Sequence, residues 1–444
     1  MKKVDLTKGN VFKVILRLAI PIMSSSILQF AYSIIDMFWV GKLGSDAVAA
    51  IGTTSFLISL GYSILSMIVI GVSVRVSQSI GSGDIHKVKE YLNIGMITTL
   101  VIGSTYALIV FLCRDLFVGF FVVNDISLFN QTKSYLSISC IIFIFSVFNI
   151  LYSRVSNSFG NNKLALKISI LGIVLNIILD PIFIYILKIG VDGAAIATLI
   201  SQIIMFLLFT LIKSSPFRYD FKEKISLEKT LDVIKLGIPM AMQRSLFTLV
   251  NIVLAKFIAD FGVYAMAAQK IGIQVESITL MVIGGINGAI SAFTGQNFGK
   301  GSVERINKGY NSALIIGGVY AIITTIVFLV IPEKIAGIFV SQKETINITA
   351  NYLRIIGSVQ IFSAIEVISN GVFTGIGKPK IPALISIIFT ILRIPMALVL
   401  INLFGVTGIW ISIAISSTLK GITAILIYKI KTEKEILSKL TIVK

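Results

Sequence analysis

Long apolar runs recur along the whole chain and are separated by short polar connections. Representative runs cover residues 94–113, 168–187 and 313–331. A helix needs about 20 apolar residues to cross a bilayer, because every backbone polar group must be paired within the segment. Laid end to end, these runs predict about twelve membrane-spanning helices and an all-α integral membrane fold. A soluble helical protein would show polar faces at the helical period, and these runs have none.

The chain repeats itself once. Pro21 corresponds to Pro239, and the glycines at 44 and 83 correspond to those at 262 and 301, each pair lying 218 positions apart. The offset is 217 in the fourth and tenth spans and 215 between Gly190 and Gly405. An even number of spans in each repeat gives both halves the same orientation, a pattern typical of transporters that bind substrate between two halves. We therefore predict two parallel-repeat six-helix bundles, with a lobe at 1–213, a linker at 214–229, a second lobe at 230–430 and a tail at 431–444.

Composition and charge narrow the class of protein. Hydrophobic residues make up 56% of the chain and charged residues 14%, against about 25% charged in soluble domains. The net charge is +18, and the basic residues lie before the first span, in the connections after even-numbered spans and at the end of the chain. This alternation follows the positive-inside rule and predicts a multi-pass protein of the inner (cytoplasmic) membrane with both termini in the cytoplasm. Nucleic-acid binding would need one contiguous basic face, so no nucleic-acid partner is expected.

The residues needed for common enzyme chemistry are missing from the sequence. His86 is the only histidine, and Cys113 and Cys140 lie in or near apolar runs. This excludes a His/Cys metal cluster, and one histidine with one cysteine indicates no nucleophilic dyad. No phosphate-binding GxxxxGK[ST] motif occurs, so neither ATP nor another cofactor is expected. Energy would come from an ion gradient or from the gradient of the substrate itself.

Polar residues inside the spans are the candidate functional residues. A charge at the bilayer centre costs roughly 2.5–3.5 kcal/mol, so a buried acid is a functional candidate by default. Asp36 lies near one end of the first span, and Asn176 and Asp180 lie four apart on one face of the fifth. Asp36 could instead be an interfacial residue, and Asp180 a helix-end acid preceding Pro181.

Two acids lie in the second half. Glu276 and Glu366 could each pair with an intramembrane base, and the sequence does not say which one. The candidate bases are Lys256, Lys270 and Arg393.

Taken together, four short motifs resemble the multidrug and toxic compound extrusion (MATE) family over essentially the whole chain. They are Pro21, the turn Asp36-x-x-x-Val-Gly-x-Leu-Gly44, the helix end Gln78-x-x-Gly-x-Gly83 and Asn176-x-x-Leu-Asp180-Pro181. The resemblance implies a secondary transporter that exports amphipathic or cationic organic compounds by antiport against Na⁺ or H⁺. It also implies a protein that works in the lipid bilayer as a monomer. Pro21 would offer the first span a place to bend.

The resemblance also implies a cation site in the N-terminal lobe. The matching positions are Asp36, Tyr135, Asn176, Asp180 and Thr198. Carboxylates with neutral oxygens suit sodium, a hard cation, and two neighbouring acids could instead share a proton.

Substrate contacts are expected in both lobes. The expected cavity residues are Gln29, Asn149, Glu276 and Glu366. A sodium-coupled branch of the family also carries acids in its second lobe, but the corresponding positions here are the neutral Phe247 and Ser363. Glu366, one turn from the second of these, could substitute for the missing acid. Because both matching positions are neutral, we place coupling mainly in the N-terminal lobe.

The sequence argues against two other functions. A flippase for lipid-linked saccharides would also have two repeats, but it tends to carry cavity arginines, and the Asn176/Asp180 pair argues against it. A membrane-embedded enzyme would need a catalytic His, Ser or metal constellation at one membrane face, and none is visible.

Overall fold

The computed structural model describes residues 5–122, 125–212, 216–217 and 219–432. The predicted tail and the start of the predicted linker therefore lie largely outside the described residues. The described part of the first half forms the α-helices α1 (Val11–Gly41), α2 (Ser45–Ser82), α3 (Ile85–Leu112), α4 (Arg114–Phe121), α5 (Ile126–Ser158), α6 (Asn162–Pro181) and α7 (Val191–Leu211). The described part of the second half forms α8 (Leu227–Ala259), α9 (Val263–Gly299), α10 (Val303–Val330), α11 (Pro332–Gly337), α12 (Lys343–Ser358), α13 (Gln360–Gly375), α14 (Lys380–Ile391), α15 (Arg393–Phe404) and α16 (Val406–Ile427).

The described helices match the predicted number of membrane spans. Eleven are long and apolar enough to cross a bilayer, with α14 and α15 forming one of them. The pair α12 and α13, bent by 54° at its break, adds a twelfth candidate. The prediction of an all-α membrane protein of about twelve spans is confirmed. In terms of spans, α5, α6 and α7 are the fourth, fifth and sixth.

The predicted repeat is visible in the backbone. Gly44 and Gly262, which precede α2 and α9, have φ angles of 113° and 93°, and Gly83 and Gly301 both have a φ of 79°. Side chains rarely tolerate such angles, so glycine recurs where the chain leaves or enters a helix. The register read from the sequence therefore aligns equivalent turns of the two halves.

The chain divides into two compact units whose boundaries differ from the predicted lobes. The first contains Ser24–Gly237, and the second contains Leu6–Met23 together with the chain from Ile238. Thus α1 begins in the second unit and continues into the first, while α8 does the reverse. The predicted lobes, 1–213 and 230–430, instead assign the whole of α1 to the first half and α8 from Thr230 onward to the second.

Specific contacts hold the segment Leu6–Met23 in the second unit. Leu6 is fully buried, and its backbone N–H donates to Gln296 Oε1 at 3.2 Å. The Arg305 guanidinium donates to the carbonyls of Gly9 and Lys8 at 2.8 and 2.7 Å. These contacts join positions nearly 300 residues apart, which is why local sequence patterns did not reveal them.

The start of α8 is held in the first unit in a similar way. Arg75 binds both carboxylate oxygens of Asp232 at 2.6 Å. A Cβ on Gly237 would lie 1.9 Å from the backbone oxygen of Met67, so glycine allows the two helices to touch there. The bidentate arginine pair fixes orientation as well as contact.

Aromatic and aliphatic side chains fill the interior of the first unit. The Phe143 ring lies 5.2 Å from Tyr62 and 5.3 Å from Tyr106, both in tilted contacts. Tyr106 donates its hydroxyl to the carbonyl of Leu57 at 2.6 Å. This packing holds α2, α3 and α5 together beside the candidate site.

The second unit has a separate core. Trp410 is fully buried, stands edge-on to Tyr352 at 5.5 Å and donates its indole N–H to Gln269 Oε1 at 2.7 Å. Tryptophan buried in an apolar interior normally finds such a partner for its N–H. This core joins α9, α12 and α16.

Candidate functional site

Four helices of the first unit bring polar side chains to one place. Helix α1 carries Tyr32 and Asp36 and helix α6 carries Asn176 and Asp180, each pair spaced four residues apart and so lying on one helix face. Helix α7 contributes Thr198, and α5 contributes Tyr135. The structure thus places all five residues of the predicted cation site in the same unit.

The two acids lie side by side. The carboxyl groups of Asp36 and Asp180 are within hydrogen-bonding reach of each other. Asp180 is fully buried, and Asp36 is partly buried. Neither acid forms an ion pair among the described residues. The two carboxyls therefore meet, an arrangement that neither the interfacial nor the helix-end interpretation requires.

Asn176 organises the neutral part of the site. With its amide oriented to satisfy both atoms, Nδ2 donates to Tyr32 Oη and Asp180 Oδ2, each at 3.0 Å. Its Oδ1 accepts from the backbone N–H and the hydroxyl of Thr198 at 3.0 and 3.2 Å. The Tyr32 hydroxyl also lies close to the Thr198 side chain. The network ties α1, α6 and α7 together around the acids.

One oxygen atom of the site is left unsatisfied. Asp180 Oδ1 is buried and has no hydrogen-bond donor among the described residues. Two ionised carboxylates cannot donate to each other, so a proton on one acid or a cation beside both would supply what this oxygen lacks. The surrounding residues fit such a cation, because the donor set consists of carboxylate, amide and hydroxyl oxygens. Among the described residues no cluster holds three or more His, Cys, Asp or Glu side chains, which leaves two acids as the charged ligands.

The acid pair lies at the end of α6. Asp180 is the penultimate residue of α6, and a π-helical turn, Ile182–Ile186, follows directly. Such turns are frequent at functional sites. Tyr135 is close enough to interact electrostatically with both acids. Nearby, the Tyr185 hydroxyl donates to the carbonyl of Trp39 at 2.6 Å and anchors the end of α1.

Sequence reasoning missed Tyr32. Its hydroxyl takes part in the Asn176 network, although the residue is not among the predicted ligands. The signal was available, because Tyr32 precedes Asp36 by four positions and so shares its helix face. Tyr32 therefore belongs to the candidate site.

The predicted cavity residues are not gathered in one place. Gln29 is exposed on α1, and Asn149 is buried, donating to the backbone oxygen and Oε1 of Gln202 at 2.9 and 2.7 Å. Glu276 and Glu366 belong to the second unit and are described below. Helix α1 passes through Pro21 without ending, and the proposed bend there stays a prediction.

The fold and the site together define an integral membrane transporter built from two repeated helical halves. A family model named MatE matches residues 21–182 and 239–399. These ranges cover most of the chain and coincide with the two repeats, and the chain belongs to this family. It is a multi-pass transporter and not an enzyme.

Two bacterial relatives and a solved structure match this chain over almost its full length. The chain is 25% identical to the probable multidrug resistance protein YpnP of Bacillus subtilis, covering 97% of both chains. It is 26% identical to the probable multidrug resistance protein NorM of Thermotoga maritima, covering 92% of this chain and 91% of that protein. A crystal structure of a MATE protein in a bent conformation matches with a TM-score of 0.92 and 22% identity, covering 99% of each chain. That structural likeness supports the fold.

Proposed function

We propose that the protein exports amphipathic and cationic organic compounds by antiport against Na⁺ or H⁺. The observation that carries this proposal is the pair of adjoining acids, Asp36 and Asp180, with one buried oxygen lacking a donor. Such a pair in an apolar interior requires a cation or a proton for its stability. Both bacterial relatives are named as probable multidrug resistance proteins, which supports multidrug efflux as the kind of transport.

Ion binding would be linked to the arrangement of helices. A cation between α1 and α6 favours the arrangement in which Asp36 and Asp180 meet, and its loss favours one in which the carboxylates separate. If the substrate binds better to the second arrangement, each ligand lowers the affinity of the other, because coupling between two sites is reciprocal. Antiport follows from this differential affinity.

Residues with neutral oxygens would complete the ion site. Asn176, Thr198 and Tyr135 would supply ligands or orient the carboxylates, and Tyr32 would hold the amide in place. We further propose that the protein is a monomer in the cytoplasmic membrane with both termini in the cytoplasm, as the distribution of basic residues indicates.

Transport in proteoliposomes tests the proposal. Ethidium export would be measured under an imposed Na⁺ gradient, an imposed H⁺ gradient and no gradient. We expect at least one ion gradient to drive export by the wild-type protein, and Asp36→Asn and Asp180→Asn to abolish that gradient-driven component.

Asp46→Asn serves as the matched control, because Asp46 is an exposed acid at the start of α2. It should export at the wild-type rate. The mechanism would be contradicted if Asp36→Asn or Asp180→Asn exported ethidium at the wild-type rate. Movement of a lipid-linked saccharide, but not of ethidium, would instead favour a flippase.

A further inference from the structure

The second unit contains a buried group of charged side chains away from the proposed ion site. It consists of Glu276 on α9, Glu366 on α13, Arg393 on α15 and Lys420 on α16, and we call it the four-charge cluster. Arg393 is 5% exposed and Lys420 is 3% exposed. Arg393 interacts electrostatically with both acids, and Lys420 with Glu366. Charged side chains this deeply buried are rare unless they are paired or functional.

The two bases have many hydrogen-bond donors and few acceptors. A guanidinium offers five N–H donors and an ammonium three. Among the described residues, the only hydrogen bond from these donors runs from Arg393 Nε to Ser416 Oγ, at 3.0 Å. Lys420 Nζ lies 3.9 Å from the nearest Glu366 oxygen, whereas charge-assisted bonds of this type measure about 2.7–2.9 Å.

The two acids do not supply the missing hydrogen-bond acceptors. Glu276 accepts a hydrogen bond from the Tyr352 hydroxyl at 2.8 Å. Glu366 faces Lys420 only at the longer distance. Unpaired donors on a buried charge are costly, so an additional acceptor would stabilise the cluster.

The surroundings of Arg393 suit a ligand with an apolar body. Its guanidinium lies 5.6 Å from the ring centre of Phe247, a residue that is 41% exposed. An aromatic or aliphatic group could therefore rest on the ring while an acidic group reaches the bases. A planar guanidinium matches the two oxygens of a carboxylate better than it matches a spherical ion.

We propose that the four-charge cluster binds the carboxylate of an amphipathic substrate through Arg393 and Lys420. The ligand carboxylate takes the place of Glu366 as the partner of Lys420. This inference extends the substrate class of the proposed exporter to amphipathic compounds that carry a carboxylate, including zwitterions, and it rests on that proposed function.

Equilibrium binding to the purified full-length protein in neutral detergent tests the inference. The probes are 2-naphthoate and its uncharged analogue 2-naphthamide, followed by calorimetric titration. We expect the wild-type protein to bind 2-naphthoate at least about tenfold more tightly than the amide, since hydrogen bonds to charged groups contribute at least this factor. Lys420→Met should remove most of that preference.

Two further variants make the test specific. Glu366→Gln should tighten 2-naphthoate binding several-fold, because it frees Lys420 and removes a negative charge. Lys256→Met is the matched control, since Lys256 is an exposed lysine within a span of the same unit, and it should leave binding unchanged. A purely structural ion pair would predict no gain in Glu366→Gln.

Several results would overturn the inference. These are equal binding of the two probes to the wild-type protein, an unchanged preference in Lys420→Met, or weaker naphthoate binding in Glu366→Gln. Competition by sodium chloride as effective as competition by sodium acetate would show that a simple anion occupies the cluster. No gradient is needed for this assay, so its failure is separable from failure of the ion-coupled export measured with ethidium.

Discussion

Removing one charge from the Asp36/Asp180 pair should make the protein more stable even though it stops transport. Two unit charges about 4 Å apart repel by about 4 kcal/mol at an effective dielectric constant of 20. The carboxyls of this pair are within hydrogen-bonding reach, so repulsion of this order acts whenever both are ionised and no cation is bound. In Asp180→Asn the new amide can also donate to Asp36, and a hydrogen bond to a charged group adds about 1.5–3 kcal/mol.

The assay is thermal unfolding of purified protein followed by tryptophan fluorescence. The two tryptophans, Trp39 and Trp410, lie in different units, so both units are observed. At alkaline pH without sodium, where a shared proton is lost, Asp180→Asn should unfold at a higher temperature than the wild-type protein. Acidic pH or saturating sodium, whichever supplies the coupling ion, should stabilise the wild-type protein, because a ligand of the native state raises its stability. The difference in unfolding temperature between Asp180→Asn and the wild-type protein should then disappear.

The control for this experiment is again Asp46→Asn. This exposed position should show no change in unfolding temperature beyond the error of the measurement. The reasoning is refuted if Asp180→Asn unfolds at a lower temperature than the wild-type protein under alkaline, sodium-free conditions. It is also refuted if neither protons nor sodium stabilise the wild-type protein.

Two further predictions concern packing and the neutral part of the site. Tyr32→Phe removes one of the two acceptors of Asn176 Nδ2 and should weaken affinity for the coupling ion about fivefold, the effect of losing about 1 kcal/mol of hydrogen bonding. Unchanged ion dependence of the unfolding temperature would limit the role of this tyrosine to packing. Gly237→Ala should destabilise the protein by about 1–3 kcal/mol, because its Cβ would overlap the backbone of Met67. Gly284→Ala, where nothing lies within 4 Å of the added atom, should show no loss in the same melting experiment.

Much of the fold was predictable from local patterns along the chain. The apolar runs indicated the spans because lipid offers the backbone no hydrogen-bond partners. The repeat was readable because glycine is required where φ is positive, so Gly44 and Gly262 recur at matching turns. The helical period put Asn176 and Asp180 on one face. The resemblance to a transporter family then named the partners on other helices.

Only the tertiary structure determines features that depend on contacts between distant segments of the chain. The sequence offers three bases as partners for Glu276 and Glu366, namely Lys256, Lys270 and Arg393. The structure places Arg393 near both acids and adds Lys420, which lies outside that set. The exchange of the first parts of α1 and α8 between the two units was likewise not visible in the sequence. Spacing within a helix is fixed by its geometry, whereas the side chain met across an interface depends on how whole helices pack, and a single sequence does not encode that in any local pattern.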